Sequence, residues 1–226
     1  MRLDEQTLVY FRRLAGQAPC DHRPPGGGES LRDSVTALVH RIDLPALVIG
    51  RYRDVLAANR LAQLLHVGYT PGENLLRFVF FDRRACERVI DWDQVAARAV
   101  STLRADASVD ADDARLRRLV DELSQGSTQF RDLWARHDAG TFSTGQIGFN
   151  NPLVGPVRLT FESLGIAGAT GQSFGILFPA PSSPDERALQ QLAYSSGISR
   201  SISSSQARAD MSDGARQSPR GESDPP

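Results

Sequence analysis

Two hydrophobic periods alternate along the chain, one of helical spacing and one of two residues, and the switches between them mark its elements. Leu31, Val35, Leu38 and Ile42 stripe a predicted helix over Leu31–Ile42, which Pro45 closes before a short apolar strand, Ala46–Gly50. Arg51–Asp54 reads as a turn, Val55–Ala57 as the returning strand, and Asn59 as the N-cap of a helix running to about His66. Gly68–Glu73 is a loop, and Asn74–Phe81 follows it as an apolar run. Helical spacing returns over Trp92–Arg104, where Trp92, Val95, Ala99 and Leu103 share a face behind Asp91 as cap. It continues over Asp112–Leu123, with Leu116, Leu119, Val120 and Leu123 on one face, and in a third helix from Ser127, with Phe130, Leu133 and Trp134.

From Thr144 the period becomes two, predicting strands over Gln146–Phe149, Val157–Glu162 and Ser173–Phe178. In the middle one Val157, Leu159 and Phe161 point one way while Arg158, Thr160 and Glu162 point the other, as in a sheet with one buried face. Ser183-Pro184-Asp185-Glu186 then opens a last helix with a serine cap, a proline at the first helical position and a glutamate at the third. Five short strands around central helices, without an internal repeat, indicate an α+β domain with a curved antiparallel sheet.

Both ends break this patterning. Asp4–Leu14 reads as an amphipathic helix too short to fold alone, and Gln17–Glu29, with Pro19, Pro24, Pro25 and Gly26–Gly28, as a flexible linker. Ser195–Pro226, dominated by serine, arginine, glycine, aspartate and proline, is expected to be disordered. The implied division is a first helix over 1–16, a linker over 17–30, the main domain over 31–194 and a tail over 195–226. With 226 residues, 40% of them hydrophobic, a core forms without staples, so Cys20 and Cys86 need not be paired. Two cysteines, no leader-type segment and no apolar stretch approaching the roughly 20 residues of a membrane span fit a cytoplasmic location. Arginine supplies all 26 basic residues against 27 acidic ones, and a net charge of −1 steers nothing toward nucleic acid.

The candidate chemistry is thin. Gly171-Gln172-Ser173-Phe174-Gly175 matches a nucleophile elbow in letters only, because a loop precedes it, a strand follows it, and no histidine comes after Ser173. His137-Asp138, beside Trp134 and Arg136, reads as a helix end rather than an acid–base pair, and catalysis by a small hydrolase or isomerase using His137 is the disfavoured alternative. Cys20 and His22 lie in the linker and Cys86 has no zinc-type spacing, while Asp110, Asp112 and Asp113 suit a helix start better than a calcium loop. No metal, cofactor or nucleotide is expected, and no catalytic residue. Phe78, Phe80, Phe81, Trp92 and Trp134 are many aromatics for this domain, and helices crossing a curved sheet can leave an apolar cavity between the layers. A binding module therefore outranks an enzyme.

The string Pro45–Arg60, with Asn74-Leu75-Leu76-Arg77, Phe81-Asp82, Asp91-Trp92 and Trp134-Ala135-Arg136-His137-Asp138, resembles the MmyB-like ligand-binding domain of Xre-type bacterial transcription regulators. The resemblance covers about Leu31–Ala193. Two positions depart from the family pattern: Ala58 stands where tryptophan is usual, and Asn150-Asn151-Pro152 where a His-Pro pair is usual, which bears on pocket shape. The resemblance implies a PAS-like sensor fold downstream of a helix-turn-helix domain, binding a fatty acid or other small apolar effector. Met1–Gly16 then looks like the last helix of that DNA-binding domain, expected to lie upstream of a misassigned start or to have been lost. DNA would be a partner only with that domain restored. Otherwise the expected partners are a second copy or an intact paralogue. Candidate ligand-binding residues are Phe78, Phe81, Trp92 and Trp134 around the apolar body, with Asn59, Arg136 or His137 near a polar head.

Overall fold

The computed structural model describes residues 29–109, 112–136 and 142–195. The segment 1–28, the tail from 196, Asp110 and His137 lie outside the described residues, and so do the readings placed on them. In chain order the elements are α1 (Asp33–Arg41), β1 (Ala46–Ile49), β2 (Val55–Ala58), α2 (Arg60–Leu65), a single 3-10 turn (Val67–Tyr69), α3 (Leu75–Phe81) and α4 (Arg84–Arg88). There follow β3 (Val89–Ile90), α5 (Trp92–Val109), α6 (Ala114–Gly126), α7 (Thr128–Ala135), β4 (Thr144–Asn151), β5 (Gly155–Gly165), β6 (Ser173–Phe178) and α8 (Pro184–Ser195).

The strands form one antiparallel sheet in the order β2-β1-β6-β5-β4-β3, and the fold class is α+β as expected. β1 is apolar at every position because both of its faces are covered. Ala46 and Val48 pack with Val35 and Val39 of α1, whereas Leu47 and Ile49 enter a cluster on the opposite face with Leu61, Phe149, Leu177 and Leu192. A separate cluster joins α3, α5, α6 and α7 through Leu76, Leu103, Leu119, Leu123 and Phe130. These helices are inserted between β3 and β4 or lie just before β3.

Local capping chemistry sets the helix starts. Asn59, Asn74, Asp113 and Ser127 each accept backbone N–H groups of the helix that follows. Asn74–Phe81 is thereby a helix. Ser183 Oγ accepts the Glu186 N–H at 3.1 Å, while Glu186 reaches back to the Ser182 N–H at 2.7 Å, a capping box displaced by one residue. Ser183→Ala is expected to cost about 1 kcal/mol, read as a lower urea midpoint.

Two expectations change. A sixth strand, β3, pairs Val89 and Ile90 with Phe149 and Gly148, and two residues are too few to carry a period. Gly148 is required there, since a Cβ would stand 2.8 Å from that of Ile90. Asp91 sits before α5 with its carbonyl accepting from Gln94 and Val95, but its carboxylate pairs with Arg158 at 2.9 Å instead of capping the helix. Its φ of 56° turns the chain sharply into α5.

Candidate functional site

The inward positions of β4, β5 and β6 follow the two-residue period, and several of them are small: Gly145, Ser163, Ser173 and Gly175. A sheet face built this way cannot fill the space beneath the helices. Between it and α3 and α5 lies a cavity of about 190 Å³. Its floor is Leu47, Ile49, Ile147, Phe149 and Phe161, and its roof is Leu75, Leu76, Phe78, Val79, Val95 and Ala99. Phe161 leans over Gly175, where a Cβ would stand 2.9 Å from the ring.

Polar residues also border the cavity: Arg53, Arg98, Thr102, Thr144, Ser163 and Ser173. Arg98 comes from the inner face of α5 and donates to the Gln146 carbonyl at 3.2 Å. Gly145 makes way for it, since a Cβ there would meet Nη1 at 3.0 Å. Arg53 closes the β1–β2 turn with φ 68°. A left-handed backbone costs a non-glycine residue about 1 kcal/mol, so glycine or asparagine would serve the turn better. Arg53 is nonetheless part of the cavity wall.

Near Phe149 the wall is aromatic, and His66 and the phenol of Tyr69 bring polar groups to it. His66 is 6% exposed, and its ring lies 5.0 Å from those of Tyr69 and Phe78 and 5.3 Å from that of Phe149. Burial, reinforced by Arg88 and Arg84, lowers its pKa to about 4, so the imidazole is neutral at pH 7. Asn151 fixes the end of α2 just before it, donating to the carbonyls of Leu64 and Leu65 at 2.8 and 3.0 Å.

Of the residues expected to bind ligand, Phe78 lines the cavity. Asn59 stands behind β1 with every polar atom engaged: Oδ1 accepts from Ala46 and Ala62, and Nδ2 donates to Ile42 and Leu44. Phe81 is exposed and lies against Gly126. Trp92 donates to the Val79 carbonyl at 3.2 Å and meets Phe80 edge-on. Trp134 stacks on Phe130 and carries Arg104 over its ring at 4.0 Å, while Arg136 is exposed at the end of α7. None of these five borders the cavity, and His137 is outside the described residues.

The residues that do border it, His66, Arg53, Arg98 and the inward positions of β4 and β5, escaped the sequence reading. Their one legible signal was glycine and serine at inward positions of otherwise apolar strands, the mark of a face left unfilled. Ser173 opens β6, so no nucleophile elbow forms. Among the described residues no group of three or more histidine, cysteine, aspartate or glutamate side chains could hold a metal, and no helix is long and apolar enough to cross a membrane.

The family model for the MmyB-like transcription regulator ligand binding domain matches residues 31–192. No curated protein matches the chain. The matched span contains the whole sheet and every residue of the cavity wall. On that match the chain belongs to the MmyB-like ligand binding domains of transcription regulators, and its role is regulatory ligand sensing.

Proposed function

We propose that the domain senses a small amphiphile with an apolar chain and one anionic head, a fatty acid of short or medium length, in the cytoplasm. The observation that carries this reading is the pairing of apolar walls with Arg98 and the hydroxyl-bearing Thr102, Thr144 and Ser163 in the same cavity. Guanidinium and hydroxyl donors suit a carboxylate, and the walls suit a chain. Size limits the ligand: a cavity of roughly 150 Å³ takes benzene, so about 190 Å³ encloses a body only somewhat larger. The head-group role falls to Arg98, which borders the cavity, whereas Asn59 stands outside it with its amide bonded to backbone groups.

β1 supplies the route outward. Its alternation places Leu47 and Ile49 against the cavity and Ala46 and Val48 under α1. An effector that favours one placement of β1 therefore shifts the population of α1 packings, by no more than its differential affinity for the two. α1 would pass the change to whatever it adjoins, a DNA-binding domain, a second copy or a paralogue.

Native mass spectrometry of the purified chain, followed by organic extraction, tests the reading. A carboxylic acid at near one per chain is the expected result, and an empty chain that no fatty acid stabilises thermally would refute it. Arg98→Ala is expected to weaken binding by at least tenfold, as loss of a charge-assisted hydrogen bond does. Arg136→Ala, on the exposed end of α7, is expected to leave affinity unchanged. The reverse ranking in calorimetric titrations would move the head group away from α5.

A further inference from the structure

A plain fatty acid leaves one wall of the cavity unexplained. His66 is buried and borders the cavity, and neither Nδ1 nor Nε2 has a hydrogen-bond partner. Buried ring nitrogens are nearly always paired, and an exception calls for something that fills the gap. Tyr69, Phe78 and Phe149 enclose the ring with aromatic carbon, which leaves the cavity as the side from which a partner can come. The ring is also held in place by its backbone. His66 N–H donates to Ala62 at 3.0 Å and its carbonyl accepts from Tyr69 at 3.0 Å.

The imidazole stands well away from Arg98. Arg98 lies over Gly145, whereas His66 lies beside Phe149, four residues further along β4 and about 13 Å away at the rise of a strand. Between them run Ile147, Val95 and Ala99, all apolar. One short ligand therefore meets a cationic end, an apolar middle and an isolated hydrogen-bonding end.

We infer that the effector is bifunctional: a carboxylate for Arg98, which rests on the function proposed above, and a hydroxyl or carbonyl oxygen on its far end that pairs with His66. A neutral imidazole offers one N–H donor and one lone pair. A hydroxyl satisfies either nitrogen, a ketone satisfies the N–H, and a methyl terminus satisfies neither. The cavity thereby selects an oxygenated aliphatic acid over its saturated parent of equal length.

Calorimetric titration with the straight-chain acids from hexanoate to dodecanoate, each beside its terminal hydroxy and penultimate keto counterparts, tests this. The best oxygenated acid is expected to bind about tenfold more tightly than the best plain one, the worth of one hydrogen bond made in a buried site. That preference is expected to vanish in His66→Leu and to survive in part in His66→Gln, which retains a donor and an acceptor. If His66→Leu fails to fold, the comparison on the unaltered chain still decides. Plain acids binding as tightly as oxygenated ones would overturn the inference while leaving the carboxylate reading intact. Binding of the matching terminal diols but of no acid would overturn the carboxylate reading, and no binding by any probe would overturn both.

Discussion

Asn59→Ala is expected to lower the unfolding free energy by about 4 kcal/mol. Asn59 is 5% exposed. Its carbonyl oxygen caps α2 through the Ala62 N–H at 2.9 Å and also accepts the Ala46 N–H at 3.2 Å, where β1 begins. Its amide donates to the Ile42 and Leu44 carbonyls at 3.0 and 2.6 Å, the loop that leads from α1 into β1. Alanine removes a cap, typically about 1 kcal/mol, and strands further backbone groups, each at about 1–3 kcal/mol where water cannot reach. The sum stays below the simple total because the loop can relax toward solvent. Asn59→Asp is expected to be nearly as damaging, since it keeps the acceptor but sets a carboxylate against two carbonyl oxygens. Urea unfolding at pH 7 measures both, and a loss under about 1 kcal/mol for Asn59→Ala would show that the loop reorganises freely.

Stability should also fall by about 3 kcal/mol between pH 7 and pH 4 through His66 alone. The folded pKa is about 4 against 6.5 for a free histidine, lowered first by burial and then by Arg88 and Arg84, with Asp82 opposing. The unfolded chain therefore takes up a proton as pH drops through 6.5 while the folded chain refuses it. The contribution is fully present above 6.5, is lost steadily as pH falls toward 4, and levels off as pH falls through the folded pKa. Carboxylates with lowered pKa values, Asp82 held by Arg84 and Glu122 held by Arg77, add their own acid sensitivity only at lower pH, and little of it at an exposed surface. The difference between the unaltered chain and His66→Leu isolates the histidine. The variant is expected to be at least as stable at pH 7 and flat between pH 6.5 and 4. Parallel pH curves for the two proteins would show that the imidazole is not shielded from water. A bound effector that pairs with the neutral ring would deepen the dependence, because protonation would then cost ligand contacts as well.

What the sequence by itself determined is local or near-local. Caps at Asn59 and Ser183 are read from a short polar side chain ahead of an apolar stripe, and the structure uses both, whereas the carboxylate of Asp91, read as a cap in the same way, pairs with Arg158. The two-residue period of β5 was legible because one of its faces packs against the core, and the ordered string of motifs from Pro45 to Trp134 carried the family. Tertiary structure alone decided where the cavity is. Phe78, Phe81, Trp92 and Trp134 are alike as apolar aromatics, yet one lines the cavity, one is exposed and two meet side chains of other helices, Phe80 for Trp92 and Arg104 for Trp134. Periodicity reports which face of an element avoids water, and filled core and empty cavity avoid it equally. Nor does it tell a histidine closing α2 from one sealed against Phe149 of a distant strand, since that burial is made by chain segments far apart in sequence. The cavity is the space that β4, β5 and β6 leave under α3 and α5, a shape that exists only once they are packed together.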